Sequence, residues 1–213
     1  MKFISESKNK KLVVISHPEI IRKETDAIKK LFSMGLKYFH LRKPGLNRGD
    51  LENFLNAIPR IYHQSIILHE HYNLVKNYNL KGIHITEKNK NSGFETKFKG
   101  YHQTISVHNT KEFFHLKNDY SYALLSPVFN SISKQNYKSG FQLITLNNIF
   151  QQKGMQQKVI ALGGITPENI LKLKNIDFKG YAVLGYLWES FSQNADLNIL
   201  EEKFKELKKS IYE

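Results

Sequence analysis

Eight short apolar or half-apolar runs alternate with segments of helical periodicity, and this alternation constrains the fold more than any other feature of the chain. The runs are Leu12–Ser16, Tyr38–Arg42, Ser65–His69, Gly82–Thr86, Thr104–His108, Tyr122–Val128, Lys158–Gly164 and Tyr181–Leu187. Strands that are separated by helices pair in parallel through right-handed crossovers. The alternation therefore predicts the α/β class and a closed (β/α)₈ TIM barrel, with a doubly wound open sheet as the alternative.

The length of the chain fits one domain. A compact eight-fold barrel needs about 200 residues or more, so we expect residues 1–213 to form a single barrel in which residues 1–11 are a polar N-terminal extension. The clearest helix is at the C-terminal end, where apolar residues recur at spacings of three and four: Leu197, Leu200, Phe204, Leu207 and Ile211. The longest interval between runs holds the polar stretch 129–140, which is a candidate substrate loop.

The absence of cysteine excludes disulfides, thiolate metal sites and a thiol nucleophile. The first residues are polar and lack the apolar core of a signal peptide. No run approaches the length of a transmembrane helix. We therefore expect a cytoplasmic protein that has no membrane partner.

The formal charge of +13 comes almost entirely from lysine, because arginine occurs only at positions 22, 42, 48 and 60. Proteins that bind nucleic acid usually concentrate Arg and Lys on one face, whereas these lysines are spread along the chain. A solvated lysine surface is the simpler interpretation, and no nucleic-acid partner is expected. A positive field would also help to gather an anionic small substrate.

The seventh run ends in Gly163-Gly164 and is followed by a helix start, with Thr166 as N-cap, Pro167 at the first helical position and Glu168 in the first turn. Paired glycines before a helix allow backbone N–H groups and the helix dipole to face an anion. Gly-Gly is also ordinary turn punctuation, so this stretch alone leaves both interpretations open.

Polar side chains recur at the predicted C-terminal strand ends, where barrels of this kind have their active sites. The two-residue period predicts four pairs that each share a face, namely His40 with Arg42, His69 with His71, His84 with Thr86 and Ser106 with His108. Hydrogen-bonded histidines in a polar upper layer would explain them, and proton transfer would also. A metal site built from His69, His71 and His108 is a third hypothesis.

Several of these segments, taken in order, resemble the thiamine phosphate synthase family, which also contains the TenI-type thiazole tautomerases. The segments are Leu41-Arg42, Gly82-Ile-His84, Ser106-Val-His108, Ser126-Pro-Val-Phe129, Ser131-x-Ser133-Lys134, Ala161-Leu-Gly-Gly-Ile165 and Gly180-Tyr-Ala-Val183. The resemblance implies a (β/α)₈ barrel that binds a phosphorylated thiazole. In synthases a pyrimidine diphosphate and Mg²⁺ bind beside it, and the thiazole nitrogen displaces pyrophosphate. Members often self-associate, so a homodimer is an expected assembly.

The resemblance also implies roles for individual residues. The phosphate cradle after strands seven and eight corresponds to Gly163, Gly164 and the backbone of Gly185 and Tyr186. Ser131 and Ser133 stand where the family has threonines, Lys134 matches the loop lysine, and Ser106 matches a serine near the diphosphate.

The diphosphate side departs from the family pattern. His40 replaces a glutamine, Pro44 stands at a lysine position, and the adjacent Lys43 should point outward by strand parity. His69-Glu70-His71 replaces Asn-Asp-Arg, so Glu70 is the expected Mg²⁺ ligand. The second metal-binding aspartate corresponds to the uncharged Asn89.

Three functional hypotheses follow. The first is a synthase-type transferase with an altered diphosphate side, in which Arg42, Glu70, Ser106 and Lys134 handle the diphosphate and Mg²⁺. The second is a thiazole tautomerase whose base is one of His40, His69, His71 or His108. The third is a barrel without catalytic activity that binds thiazole phosphate or has a regulatory role.

Overall fold

The computed structural model describes residues 10–109, 111–112, 116, 120–130, 141–151 and 158–213, and these residues form a closed barrel of eight parallel strands. Each strand pairs with the next in sequence, and the eighth pairs with the first. The strands are β1 (Lys11–Ile15), β2 (Tyr38–Leu41), β3 (Ile66–Leu68), β4 (Gly82–Ile85), β5 (His102–Val107), β6 (Tyr122–Leu125), β7 (Val159–Leu162) and β8 (Gly180–Val183). The predicted barrel is confirmed, and the open-sheet alternative is excluded.

The described helices cover the outside of the barrel. They are α1 (Glu24–Ser33), α2 (Arg48–Asn56), α3 (Leu74–Asn77), α4 (Phe94–Lys97), α5 (Leu143–Phe150), α6 (Pro167–Lys172), α7 (Gly185–Asn194) and α8 (Leu197–Tyr212), with 3₁₀ turns at Arg60–Ser65 and Glu87–Asn89. The C-terminal helix predicted from apolar spacing is α8, whose buried face carries Leu200, Phe204, Leu207 and Ile211. Among the described residues, no helix has the length and apolarity that crossing a membrane requires.

Alternation along the strands separates two cores. Side chains that point outward, such as Phe39 and Leu41 of β2, are buried against the helices. Side chains that point inward form a smaller cluster along the barrel axis, including Val13, Ile67 and Ile160. Because strand side chains alternate, each strand that sends apolar residues to the helices sends its intervening residues into the barrel.

The eighth predicted strand is too long at its C-terminal end. The backbone leaves the extended region at Leu184, with φ −137° and ψ −78°, and α7 begins at Gly185. The apolar residues Leu187 and Trp188 therefore belong to a helix that packs on the barrel, where both are fully buried. A continuous apolar run does not distinguish a buried strand from a buried helix start, which explains the error.

Candidate active site

A cavity of about 250 Å³ lies at the C-terminal ends of the strands. Every strand, or the segment directly after it, contributes to the wall: Ile15, Arg42, His69, His84, Thr86, Ser106, His108, Leu124, Ser126, Pro127, Leu162, Gly163, Gly164, Ile165, Ala182, Leu184, Gly185 and Tyr186. The strand-end pairs predicted for β4 and β5 both lie in this wall, as the two-residue period requires. The cavity combines an apolar floor with polar groups from separate strands, which is typical of ligand pockets.

Arg42 is a cation of the cavity wall without an acidic partner. It follows β2, and its backbone is fixed by Ser16, whose hydroxyl accepts from Arg42 N–H at 2.8 Å and donates to the Arg42 carbonyl at 2.9 Å. Within the described part of the chain its guanidinium makes no ion pair. A guanidinium that forms no ion pair and lines a cavity can bind an anion bidentately.

Gly163 and Gly164 lie in the cavity wall, but close packing explains why both are glycine. Gly163 has φ +99°, and a Cβ there would lie 2.8 Å from the Cα of Pro127. Gly164 has φ +61°, and its Cβ would lie 2.5 Å from the carbonyl oxygen of Asn130. The Val128 N–H donates to the Leu162 carbonyl oxygen at 2.9 Å, which holds the segment after β6 against the end of β7. No side chain fits at either position, so both residues are glycine and only their backbone lines the cavity.

The two helices next to these loops differ at their N-termini. In α6 the hydroxyl of Thr166 caps the helix by accepting from Asn169 N–H at 3.2 Å, as the sequence predicts. In α7 the N-cap residue Leu184 offers no side-chain hydrogen bond, and Gly185 and Tyr186 line the cavity. The uncapped N–H groups at the start of α7 are therefore the better anion site.

The Tyr186 side chain does not belong to the cavity chemistry. Its hydroxyl donates to Glu206 of α8, and its ring receives the ammonium of Lys203 at 4.8 Å. Burial and the Glu206 carboxylate raise the pKa of Tyr186. The expected contribution of the Tyr186 backbone, rather than of its ring, is consistent with this geometry.

A chain of buried hydrogen bonds runs from the barrel interior to the cavity. The Tyr122 hydroxyl lies 2.6 Å from His40 Nε2, and His40 Nδ1 lies 2.8 Å from His69 Nε2. Tyr122 and His40 are almost wholly buried, and the hydroxyl has no other partner among the described residues. Since a buried O–H must donate, Tyr122 donates to His40, and His40 Nδ1–H in turn donates to His69. The hydrogen of neutral His69 is then on Nδ1.

This network determines which histidines can act as bases. Burial, together with the neighbouring imidazoles, holds the pKa of His40 and of His69 well below the ordinary value. His40 does not line the cavity, and both of its nitrogens are engaged. His69 lines the cavity, but its free nitrogen carries a hydrogen and can only donate. Neither ring has the exposed lone pair that a general base needs.

His84 and Ser106 form a second pair in the wall. His84 Nε2 lies 2.8 Å from the Ser106 hydroxyl, and its Nδ1 lies 2.8 Å from the hydroxyl of Thr104. Burial lowers the pKa of His84 to about 3, helped by His108, Arg42 and Lys90. Hydroxyls can donate or accept, so the tautomer of His84 is not fixed by its partners. The pair presents the Ser106 oxygen to the cavity.

The structure contradicts the pairing of His69 with His71. Strand β3 ends at Leu68, and His71 has a left-handed backbone with φ +51°. This turn carries the His71 ring away from the cavity, and its Nε2 lies 3.0 Å from the carbonyl oxygen of Leu46. Strand parity applies only within the strand, so it could not place a residue three positions beyond it.

The expected magnesium ligands share a separate cleft of about 360 Å³, which His71 also lines. Burial raises the pKa of Glu70, whose carboxylate accepts from the Lys43 backbone N–H at 3.4 Å. The Asn89 side-chain N–H donates to the Tyr72 oxygen at 2.8 Å, which leaves the Asn89 Oδ1 able to coordinate a metal ion. One carboxylate and one amide oxygen fit Mg²⁺ if water and phosphate supply the other ligands.

The structure confirms that Lys43 points outward. Its ammonium lies 2.6 Å and 2.7 Å from the two oxygens of Glu24, and 2.7 Å from the Glu19 carbonyl oxygen. It also lies over the Phe54 ring at 5.1 Å. Lys43 is committed to the outer layer and cannot replace the lysine that is absent at Pro44.

His108 lies at the exposed rim of the cavity. Its Nδ1 is 3.0 Å from the Ser126 carbonyl oxygen, and its Nε2 is 3.8 Å from a carboxylate oxygen of Glu87. Three further predicted site residues, Ser131, Ser133 and Lys134, lie outside the described residues.

The predicted metal site of His69, His71 and His108 is not assembled, because His71 faces another cleft. Instead His40, His69 and His84 each bring one nitrogen within 4.8 Å of the others. Their nitrogens are largely engaged with one another and with hydroxyls, and the His69 and His84 rings stack at 4.2 Å. Hydrogen bonding accounts for this cluster.

Sequence reasoning missed Tyr122 and Thr104, which orient the histidines from inside the barrel. The parity of β6 carried the signal for Tyr122, since Leu124, two residues later, lines the cavity. That signal was weak because tyrosine in a strand is usually interpreted as core packing.

Comparison with known proteins adds the decisive observation. The family described as thiamine monophosphate synthase matches residues 12–187. The chain therefore belongs to the thiamine monophosphate synthase family.

Members of this family are similar to the chain over most of its length. The thiamine phosphate pyrophosphorylase of Bacteroides thetaiotaomicron is 35% identical, with a TM-score of 0.81 over 94% of this chain and 96% of that one. The thiamine-phosphate synthase of Staphylococcus haemolyticus (strain JCSC1435) is 26% identical over an alignment of 191 residues, and the match covers 84% of this chain and 88% of the relative. The thiamine phosphate pyrophosphorylase of Pyrococcus furiosus shares the fold, with a TM-score of 0.77 at 14% identity over 96% of both chains.

Proposed function

We propose that the chain is a thiamine phosphate synthase, a transferase that joins a hydroxymethylpyrimidine diphosphate to a thiazole phosphate and releases pyrophosphate. The observation that carries the proposal is the presence of two anion-binding features in one cavity. Arg42 lines it and forms no ion pair with a described carboxylate, and the uncapped start of α7 lines it at Gly185. Two anionic reactants that meet in one apolar-floored cavity need such groups at separate positions.

In the proposed reaction the thiazole nitrogen bonds to the pyrimidine methylene carbon while the bond from that carbon to the diphosphate oxygen breaks. The leaving pyrophosphate takes the electron pair, and the Arg42 guanidinium stabilises its growing charge. Ser106 and Lys134 are proposed to contact the diphosphate. The thiazole phosphate is assigned to the hydroxyls and backbone groups of Ser131, Ser133, Gly163, Gly164, Gly185 and Tyr186.

Glu70 and Asn89 are the residues that would hold Mg²⁺, which would neutralise charge on the diphosphate oxygens. Their cleft shares no lining residue with the central cavity, but Arg42 lies close enough to Glu70 to oppose the rise in its pKa. With one carboxylate only, we expect weaker ion binding than a pair of carboxylates would give.

The histidine network argues against a tautomerase that uses His40 or His69 as its base, while His108, at the exposed rim, is a candidate base that the network does not exclude. Isomerisation of a thiazole needs a base that removes a proton inside the cavity. His40 and His84 have both nitrogens engaged, and His69 presents an N–H group. We propose that His69 donates a hydrogen bond to the substrate. A cytoplasmic location and a homodimer remain predictions, the first supported by the absence of cysteine.

The test is a turnover assay with both substrates and Mg²⁺ that measures pyrophosphate and thiamine phosphate together. We expect equal amounts of the two products, and a loss of about 100-fold in kcat for Arg42→Gln. The exposed Arg60→Gln is the matched control and should keep full activity. Thiazole isomerisation without pyrophosphate would establish the tautomerase instead, and thiazole phosphate binding by calorimetry without turnover would establish a non-catalytic barrel.

A further inference from the structure

The N-terminal face of the barrel, opposite the cavity, gathers lysines that have no acidic partner. Lys11 begins β1, Lys81 directly precedes β4 and Lys158 directly precedes β7. Because all strands are parallel, these three positions lie at the same end of the barrel. None of the three forms an ion pair with a carboxylate of the described residues.

Two of these lysines, Lys11 and Lys81, converge on one aromatic ring. The ammonium of Lys11 lies 5.6 Å from the centroid of the Tyr38 ring, and that of Lys81 lies 5.2 Å from the same centroid. Cation–π contact stabilises each ammonium, but two like charges on one ring repel each other. Burial lowers the pKa of both lysines, and the charge of Lys158 lowers that of Lys11 further. Within the described part of the chain, the cluster therefore has no carboxylate counter-charge in ion-pair contact.

His102 adds an unmet hydrogen-bonding group to this cluster. Its ring lies 5.9 Å from the Tyr38 ring, and its buried Nε2 atom has no hydrogen-bond partner among the residues that the structure describes. Burial is the main cause that lowers the pKa of His102 to about 4, and the charges of Lys81, Lys11 and Lys158 lower it as well. A buried polar atom without a partner is uncommon in native proteins and needs an explanation.

A cleft of about 400 Å³ adjoins the cluster between the starts of β1 and β2 and the C-terminal end of α8. Lys11, Lys37 and Lys208 line it, with Tyr38 and Tyr212 as aromatic walls, and its described lining contains no acidic residue. Its volume is within the range of small-molecule sites. A concave site with several lysines suits a compact polyanion better than an extended nucleic-acid strand.

We propose that this cleft is a second anion-binding site, separate from the catalytic cavity, and that it takes a small molecule carrying two or more phosphate groups. Lysine ammonium groups bind phosphate as point charges, so a ligand with several phosphates can contact more than one of them. Such a ligand supplies a counter-charge to the lysines that line the cleft, Lys11, Lys37 and Lys208. The proposal does not depend on the reaction assigned to the other end of the barrel.

The test measures binding of inorganic tripolyphosphate by calorimetry in an Arg42→Ala background, which weakens anion binding in the catalytic cavity. The site variant is Lys11→Ala/Lys37→Ala/Lys208→Ala, which removes three lysines that line the cleft. The matched control is Lys29→Ala/Lys76→Ala/Lys172→Ala, which removes the same charge from helices that do not line it. We expect the site variant to bind about tenfold more weakly or worse, and the control to bind within about twofold of the background. The exposed Lys37→Ala alone serves if the triple variant does not fold.

A second measurement reports on the site itself. The NMR titration midpoint of His102 should rise when tripolyphosphate is added, because a nearby anion favours the imidazolium. Absent binding, equal weakening in the site and control variants, or an unchanged His102 midpoint would each overturn the proposal. Tighter binding of a single-stranded oligonucleotide than of tripolyphosphate would overturn it in favour of a nucleic-acid surface.

Discussion

Gly163 occupies a position where a side chain has no room. Its φ of +99° is costly for any residue with a Cβ, and the Cα and Cβ of Pro127 both lie 2.8 Å from the position that its Cβ would take. Both of these Pro127 atoms belong to the proline ring, and one is also backbone, so neither can move aside at low energetic cost. The contact fixes the loop after β7 against the loop after β6, and through it the shape of the cavity.

For Gly163→Ala we expect a decrease of about 1–3 kcal/mol in the free energy of unfolding, because backbone strain and overlap add. Urea unfolding followed by circular dichroism measures it. Gly45→Ala is the control, since nothing lies within 4 Å of its Cβ position and its φ is not in the positive region. Equal midpoints for the two variants would contradict the packing argument.

The Tyr122 hydroxyl determines the tautomers of His40 and His69. Tyr122→Phe removes the donor at 2.6 Å from His40 Nε2, so His40 can carry its hydrogen on either nitrogen. We expect the ¹⁵N shifts of His69 to change from a pure Nδ1–H pattern to a mixed one, with a stability loss of about 1–3 kcal/mol.

Tyr62→Phe is the matched control for Tyr122→Phe, because its ring stacks on Phe32 in the outer layer. The control should leave the imidazole shifts of His69 unchanged. An unaltered His69 pattern in Tyr122→Phe would show that the network does not transmit the tautomer.

At the scale of elements, the buried Lys43–Glu24 pair joins the end of β2 to α1. Both side chains are 1% exposed, and the Phe54 ring of α2 covers the ammonium. Burial raises the pKa of Glu24 and lowers that of Lys43, and each partner opposes the effect on the other. Such a pair adds little net stability but specifies how the two elements dock.

Lys43→Met should lower the free energy of unfolding by about 3–5 kcal/mol, because it leaves the Glu24 carboxylate buried without a partner. The double variant Lys43→Met/Glu24→Leu should recover most of that loss. Lys29→Met, which breaks the exposed pair with Asp26, should cost under about 1 kcal/mol. Denaturant unfolding of all three tests this, and a double variant as unstable as the single one would refute it.

Helices and strands could be predicted from the sequence where the pattern that specifies them is local. The caps of α6 and the alternation within β4 and β5 depend on residues that are adjacent in sequence, so Thr166, His84 and Ser106 lie where expected. The start of α7 and the turn at His71 depend on how the chain packs beyond each strand. Local spacing carries no information about that packing.

At the scale of the whole molecule, the barrel keeps several imidazoles neutral. The pKa of His84 is lowered to about 3 and that of His102 to about 4, and those of His40 and His69 lie well below the ordinary value. In the unfolded chain each would titrate near 6.5. Below that pH the unfolded state binds more protons than the folded state, so stability is lost as the pH falls.

We therefore expect the free energy of unfolding to be constant above about pH 7 and to decrease below about pH 6.5. Each such histidine contributes up to about 1.4 kcal/mol per pH unit. Urea unfolding at intervals from pH 7.5 to 5 measures how steeply the free energy of unfolding depends on pH. His102→Gln should reduce this dependence by the contribution of one histidine. A urea midpoint that stays the same from pH 7.5 to 5 would contradict the neutral state of the buried imidazoles.

The sequence by itself determined the barrel, because the number of apolar runs, their two-residue alternation and the helices between them are local patterns that permit few topologies. It also placed Arg42, Ser106, His108 and the glycine pair at one end of the barrel. Only the tertiary structure decided what these groups can do. Hydrogen bonds from Tyr122 through His40 to His69, the outward pairing of Lys43 and the uncapped start of α7 join residues from separate strands and helices. Protonation state and charge depend on such neighbours, which spacing along the chain does not reveal.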